Sequence, residues 1–181
     1  MKIFISILII FCFVSGCKNN SNENKITEDD INVRLTKMNV ARVGDESKKI
    51  DDFIARRSLK TKQTGTGLRF EISEHGKGAT PELHDEIELK YKIFLLDGTL
   101  CYSSDSSGTI KFHLGEAEQV RGLEEAVMMM VPGDKARLVI PAHLAYGIAG
   151  DEIKIPPASA LYYEIEILKV SGHEDTKLQS H

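Results

Sequence analysis

Between residues 67 and 170, apolar residues recur at every second position in several short segments, and this alternation constrains the fold more than any other feature of the sequence. The segments are residues 68–72, 85–96, 110–114, 136–140 and 161–170. An alternation with period two gives a strand one buried and one solvated side, as in antiparallel sheets. Asp97-Gly98 supplies a hairpin signal between the strand over residues 85–96 and a further short strand predicted over residues 100–102.

One helix is predicted inside this region, over residues 120–130. Its apolar positions recur at helical spacing and share one face: Val120, Leu123, Val127 and Met130. A sheet with one short helix is an α+β arrangement. Residues 141–157 show no period, and a loop of about seventeen residues in a compact domain is usually functional.

The N-terminal part of the chain predicts two further helices, over residues 26–43 and 45–59, with Gly44 as the break and Asp45 as the N-cap of the second. Each has apolar residues at helical spacing: Ile31, Leu35 and Met38 in the first, and Ile50, Phe53 and Ile54 in the second. These helices would dock on the sheet domain, pair between chains, or lie on the surface.

Residues 1–16 have the pattern of an export signal. Lys2 precedes an apolar run over residues 3–14, which as a helix reaches about 18 Å, too short for a bilayer core of about 30 Å. The run ends in small residues before Cys17, and this ending resembles the bacterial lipobox. There the signal is cut before the cysteine, whose thiol takes a diacylglycerol. An ordinary signal with an incidental cysteine is the alternative.

The cysteine count and the net charge narrow the class of protein. Because Cys12 and Cys17 lie in or directly after the signal, Cys101 is the one thiol expected within the mature domain, which excludes an internal disulfide. The histidines are scattered along the sequence, and no second cysteine accompanies them at the spacing of a metal-binding motif. We therefore expect neither a metal nor a cofactor. A net charge of −4 argues against a nucleic-acid partner.

Six short motifs match one protein family in order and spacing. They are IELKY at 87–91, LDGT at 96–99, VRGLEEA at 120–126, PGDKA at 132–136, AYG at 145–147 and IPP at 155–157. Together they resemble the FKBP-type peptidyl-prolyl isomerase domain, over residues 67–170. The resemblance implies a five- or six-stranded antiparallel half-barrel wrapped around one short helix, here preceded by an N-terminal helical segment.

The domain organisation follows from the signal pattern and this resemblance. Residues 1–16 would be the lipoprotein signal peptide, and residues 17–60 a lipid-anchored tether with the helical segment. Residues 61–170 would be the isomerase domain, and residues 171–181 a polar tail.

The resemblance also implies a site. Family members isomerise X–Pro bonds in an apolar pocket between helix and sheet, without a nucleophile, metal or cofactor. Carried over position by position, the catalytic residues are Tyr91, Tyr146, Ile155 and Tyr163. The rest of the substrate pocket is Cys101, Tyr102, Ile110, Phe112, Gln119, Val120 and Leu123. Alternatively, these side chains form only the core of a curved sheet.

Five positions depart from the family pattern. Cys101-Tyr102 replaces a Phe-Asp pair whose aspartate normally borders the pocket and is tied to an arginine, and Leu123 stands where a tryptophan often forms the floor. Asp151 and Lys154 occupy loop positions that are more often neutral or apolar. We therefore expect a real pocket with weakened or altered isomerase activity and poor binding of the family's macrolide inhibitors.

The lipid signal and the N-terminal segment resemble the lipoprotein branch of the family, including gliding-motility-associated lipoproteins of Bacteroidetes. That branch implies a lipid anchor at Cys17 on the outer membrane, facing the periplasm, with the inner membrane and the opposite face as alternatives. Its substrates would be proline-containing exported polypeptides, and an envelope partner would contact residues 26–59. The alternative function is an FKBP-fold chaperone, or an assembly module of a secretion or motility machine, with little or no isomerase activity.

Overall fold

The computed structural model describes residues 27–172, and an antiparallel sheet is its main element. Its strands are β1 (Lys62–Gln63), β2 (Arg69–Glu74), β3 (Glu86–Leu95), β4 (Leu100–Ser103), β5 (Ile110–His113), β6 (Lys135–Ile140) and β7 (Leu161–Ser171). Their order is β1-β2-β6-β7-β3-β4, and β5 also pairs with β3. Every one of these pairings is antiparallel, which confirms the fold class. The predicted signal, Cys17 and residues 173–181 of the predicted tail lie outside the described residues.

Three α-helices accompany the sheet in the described part of the chain. They are α1 (Glu28–Arg57), α2 (Ser104–Ser107) and α3 (Arg121–Val127), and a 3₁₀ turn spans Ala142–Leu144. The short helix α2 lies in a stretch without a predicted element. Helix α3 falls inside the predicted span of 120–130.

The predicted break at Gly44 is wrong, because α1 continues through it. A glycine inside a helix costs only about 1 kcal/mol relative to alanine. That cost is offset here because the helix after Gly44 makes tertiary contacts. Asp45 is therefore an interior residue rather than an N-cap. The carboxylate of the next residue, Glu46, accepts a hydrogen bond from the Ala142 amide at 2.7 Å.

The chain divides into two compact units, Met1–Lys37 and Met38–His181. In the first, the described residues begin with a capped helix end. The Thr27 hydroxyl accepts from the Asp30 amide at 3.2 Å, and the Asp30 carboxylate accepts from the Thr27 amide at 3.3 Å. Among residues 27–172, no helix combines the length and the hydropathy that crossing a bilayer requires.

In the second unit, both faces of the sheet are covered. Helix α3 packs on one face, where its Leu123 and Val127 join a buried cluster with Leu138 and Tyr163. The second half of α1 covers the other face, where a smaller cluster joins the helix to the neighbouring strand positions: Ile50, Phe53, Val139 and Tyr162. Since adjacent strand residues point to opposite faces, Tyr162 and Tyr163 serve different clusters. Ile50 and Phe53 of α1 thus belong to the domain core.

Candidate functional site

The predicted site residues lie together on the α3 face of the sheet. Five are buried in one cluster: Cys101, Phe112, Leu123, Ile155 and Tyr163. Five more are partly buried and pack against it: Tyr91, Tyr102, Ile110, Val120 and Tyr146. Gln119 is also partly buried, directly before α3. The floor of a pocket and the core of the domain are one surface here, so the catalytic roles stay predictions.

Strand register explains why these residues meet. On β3, Tyr91 lies opposite Ile165 of β7, and Ile93 lies opposite Tyr163. Strand β5 brings Ile110 and Phe112 to the same part of β3. The Tyr91 hydroxyl is 2.9 Å from the Ser107 hydroxyl of α2.

Tyr146 and Tyr163 are neighbouring tyrosines in this cluster. Burial raises the pKa of both side chains, that of Tyr163 well above the usual value. The neighbouring Tyr146 raises the pKa of Tyr163 further. The Tyr146 side chain is only partly buried, and its hydroxyl can donate a hydrogen bond to a substrate carbonyl.

Tyr102 and Asp151 form a second pair. The Tyr102 hydroxyl donates to one Asp151 carboxylate oxygen in a short hydrogen bond. The bond to Asp151, followed by burial, raises the pKa of Tyr102 to about 12. Burial alone would raise the pKa of Asp151, but hydrogen bonds from Tyr102 and three backbone amides hold it well below its usual range. A carboxylate thus borders the site, although it comes from the loop after β6 instead of from β4.

Cys101 and Lys154 form a third pair. The Lys154 ammonium donates to the Cys101 carbonyl at 2.9 Å, and the Cys101 thiol lies 3.8 Å from the Lys154 carbonyl. Cys101 is only 3% exposed, so the space left by the smaller side chain is covered by the chain at Lys154. Burial raises the pKa of the Cys101 thiol.

Sequence reasoning missed a group of possible metal ligands on the surface. Among residues 27–172, the ligand atoms of His113, Glu116 and Glu118 lie within 4.8 Å of one another. His113 pairs with Glu118, and His84 with Glu116, both at 3.3 Å. Imidazole–carboxylate pairs of this kind form on protein surfaces without a metal, and we assign none here.

A separate groove of about 730 Å³ lies between the middle of α1 and the loop after β6. Among its lining residues are Met38, Val43, Leu96 and Ile148. None of the predicted site residues lines it. The sequence did not indicate this groove because its walls come from segments that are distant along the chain.

The fold and the arrangement of this site are those of an FKBP-type domain. The profile of the FKBP-type peptidyl-prolyl cis-trans isomerase family matches residues 77–168, and the chain belongs to this family. The FKBP-type 22 kDa peptidyl-prolyl cis-trans isomerase of Escherichia coli (strain K12) is 37% identical over 108 residues, which are 59% of this chain and 52% of that protein.

Solved structures agree with this assignment. The crystal structure of FkpA from Escherichia coli matches with a TM-score of 0.61 and 28% identity, over 82% of this chain and 75% of that one. A crystal structure of a peptidyl-prolyl cis-trans isomerase from Pseudomonas syringae pv. tomato matches with a TM-score of 0.60 and 30% identity, over 73% of this chain and 95% of that one. The chain spans about half the length of the curated relatives it matches.

Proposed function

We propose that this protein catalyses cis–trans isomerisation of X–Pro peptide bonds at the site between α3 and the sheet. The observation that carries the proposal is the position of Tyr146, a partly buried tyrosine that packs against an aromatic and aliphatic cluster containing Ile155 and Tyr163. Such a site can bind a proline ring and its preceding carbonyl at once.

The reaction needs no bond cleavage, so no nucleophile or metal is required. The barrier to rotation is about 18–20 kcal/mol and arises from amide resonance, which separates charge between oxygen and nitrogen. Twisting removes that resonance and part of the polarity, and an apolar site therefore favours the twisted state relative to water. A rate increase of about 10⁴ requires roughly 5.5 kcal/mol.

Each site residue has a definite part in this proposal. Ile155 and Leu123 supply apolar walls that exclude water, and Tyr163 belongs to the buried cluster against which Tyr146 packs. The Tyr146 hydroxyl donates a hydrogen bond to the substrate carbonyl. We expect lower activity than is usual in the family because Tyr102 stands where the family's aspartate normally borders the pocket.

The catalysed isomerisation rate of a short X–Pro peptide tests the proposal, measured with the protein lacking residues 1–17 against a buffer blank. Tyr146→Phe should lower kcat/KM about three- to tenfold, the loss of one hydrogen bond. Tyr162→Phe is the matched control, because its hydroxyl lies on the other face and binds Glu164 at 2.9 Å. A folded protein whose rate equals the blank would refute the proposal.

The proposed cellular role is that of a lipoprotein of the branch described above, anchored through Cys17 to the outer membrane and acting on exported polypeptides. The signal pattern of residues 1–17 supports it. Cells expressing the full chain should incorporate labelled palmitate into the protein, and Cys17→Ser should abolish the label. Label that persists in Cys17→Ser would exclude this anchor.

A chaperone or assembly module with little isomerase activity is the second candidate. Exposed apolar side chains on α1 favour it: Ile31, Val33, Leu35, Met38, Val40 and Val43. Because Ile50 and Phe53 are buried, the apolar side chains available to a partner on the described part of α1 lie in its earlier part. Suppression of aggregation of a proline-free unfolded protein, lost in Met38→Asp/Val40→Asp, would support this function; equal suppression by the variant would argue against it.

A further inference from the structure

Four of the five residues that depart from the family pattern contact one another. We propose that Cys101, Tyr102, Asp151 and Lys154 form a clasp that fixes the loop carrying Ile155 against β4 and so positions a wall of the catalytic pocket. The inference rests on the proposed isomerase function. It assigns positioning roles to these four residues, and in particular to Asp151, in place of the missing aspartate at position 102.

Two links join the loop to the strand. The first is the hydrogen bond from the Tyr102 hydroxyl to Asp151. The second is the contact of Cys101 with Lys154, in which the Lys154 ammonium donates to the Cys101 carbonyl and the Cys101 thiol lies 3.8 Å from the carbonyls of both Lys154 and Thr99. The Lys154 ammonium also lies 5.0 Å from the centre of the Tyr102 ring, a favourable cation–π distance.

Asp151 also closes the loop on itself. The carboxylate oxygen that does not face Tyr102 accepts from the amides of Ile153, Lys154 and Ile155 at 3.0, 2.9 and 2.6 Å. The Asp151 amide donates to the Ile155 carbonyl at 3.1 Å. One carboxylate therefore sets the loop backbone and ties it to β4.

This arrangement makes Tyr102 a positioning residue. Its single hydroxyl proton is used by Asp151, so it is not offered to substrate. Ile155 is 2% exposed and directly follows Lys154 in the clasped loop. Preorganised walls accelerate a reaction because the reacting geometry is already in place, and a displacement of about 1 Å can cost about a hundredfold.

Exchange NMR on a short peptide with one X–Pro bond provides the test, because it separates the dissociation constants of the cis and trans peptide from their interconversion rate on the protein. We expect Asp151→Ala to slow bound interconversion by about tenfold to a hundredfold and Tyr102→Phe by about three- to tenfold. Both dissociation constants should change less than about twofold. The double variant Tyr102→Phe/Asp151→Ala should be no slower than Asp151→Ala alone, because both substitutions break the same Tyr102–Asp151 hydrogen bond.

Matched controls separate the clasp from general damage to the loop. Glu152→Gln removes an exposed charge next to Asp151 and should leave the rate unchanged. Asp151→Asn keeps an acceptor for the loop amides and should recover part of the rate lost in Asp151→Ala. The proposal would be overturned if the rate losses of Tyr102→Phe and Asp151→Ala were additive in the double variant. It would also be overturned if Glu152→Gln and Asp151→Asn slowed bound interconversion equally.

Amide hydrogen exchange distinguishes failure of the clasp from failure of the isomerase assignment. If the wild-type protein does not catalyse interconversion, the proposed function fails, and the proposed role in catalysis fails with it. The structural link is then judged by the amides of Ile153, Lys154 and Ile155. Faster exchange there in Asp151→Ala but not in Glu152→Gln supports the link, and unchanged exchange overturns it.

Discussion

Phe53 of α1 lies against Tyr162 of β7, with ring centroids 5.2 Å apart and planes inclined by 55°. The Arg57 guanidinium lies over both rings, about 5 Å from each centroid. Phe53 and Tyr162 are 2% and 1% exposed. The helix that precedes the matched family region therefore contributes to the core of the sheet domain.

Removing the Phe53 ring should destabilise the whole domain. Phe53→Ala leaves a cavity between α1 and β7, and we expect the free energy of unfolding to fall by about 3–5 kcal/mol. Urea denaturation measures this loss. Val40→Ala is the control on the same helix, since Val40 is exposed, and its effect should stay within about 0.5 kcal/mol. Equal effects of the two substitutions would contradict the packing of α1 on the sheet.

A methyl group at Gly150 should disturb the loop that carries Ile155. Gly150 has φ +76°, and an added Cβ would lie 2.2 Å from the Ile155 carbonyl oxygen. Gly147→Ala is the matched control, because its φ is +63° and nothing lies within 4 Å of an added Cβ.

The control should cost only the left-handed strain of about 1–2 kcal/mol. Gly150→Ala should cost about 1–3 kcal/mol more, because the loop must also move away from the new methyl group. Denaturation curves of the two variants give the difference. If they coincide, the close approach of Gly150 to Ile155 does not exist in solution.

Alkaline titration should show Tyr102 ionising late. The hydrogen bond to Asp151, with burial, raises the pKa of Tyr102 to about 12, against about 10 for a free tyrosine. Because the folded pKa is raised, the stabilisation from this pair is complete below about pH 10 and is lost as the pH rises towards 12. The tyrosinate absorbance of the wild-type protein minus that of Tyr102→Phe isolates this group.

Asp151→Ala should move this titration back towards about pH 10, since the main cause of the shift is removed. The tyrosinate absorbance of Asp151→Ala minus that of the double variant Tyr102→Phe/Asp151→Ala gives the titration of Tyr102 in the absence of Asp151. A midpoint that does not move when Asp151 is removed would mean that the two side chains are not paired.

Restoring the family's usual phenylalanine at position 101 should destabilise this chain. Cys101 is 3% exposed and lies against the Lys154 carbonyl, so a larger ring must displace the loop. We expect Cys101→Phe to cost about 1–3 kcal/mol of unfolding free energy through overpacking. Cys101→Ala, which adds no volume, is the control. A gain in stability with phenylalanine would show that an open space remains beside β4.

Strands β2 to β7 and α3 were predictable from their apolar periods, whereas β1 consists of two exposed polar residues and was not predicted. Tyr162 and Tyr163 fall on opposite faces as the alternation requires. The continuity of α1 was not predictable, since a glycine followed by aspartate is compatible with a break or an interior position. Only the contacts of Glu46 and Phe53 with the sheet domain decide between them.

The site was predictable as a set of residues but not as a set of contacts. Resemblance identified the residues that meet beside α3. The partnership of Tyr102 with Asp151 spans 49 positions of sequence, and no local period or spacing signals it. A departure from a family pattern becomes interpretable only when its partner in space is known.

The Tyr102–Asp151 contact also has an evolutionary consequence. A lineage that acquired tyrosine at position 102 alone would leave a hydroxyl without this acceptor, and one that acquired aspartate at 151 alone would leave a carboxylate without this donor. Each single step is therefore disfavoured relative to the pair. The two substitutions should be inherited together, so that sequences descended from one ancestor divide into those with both residues and those with neither.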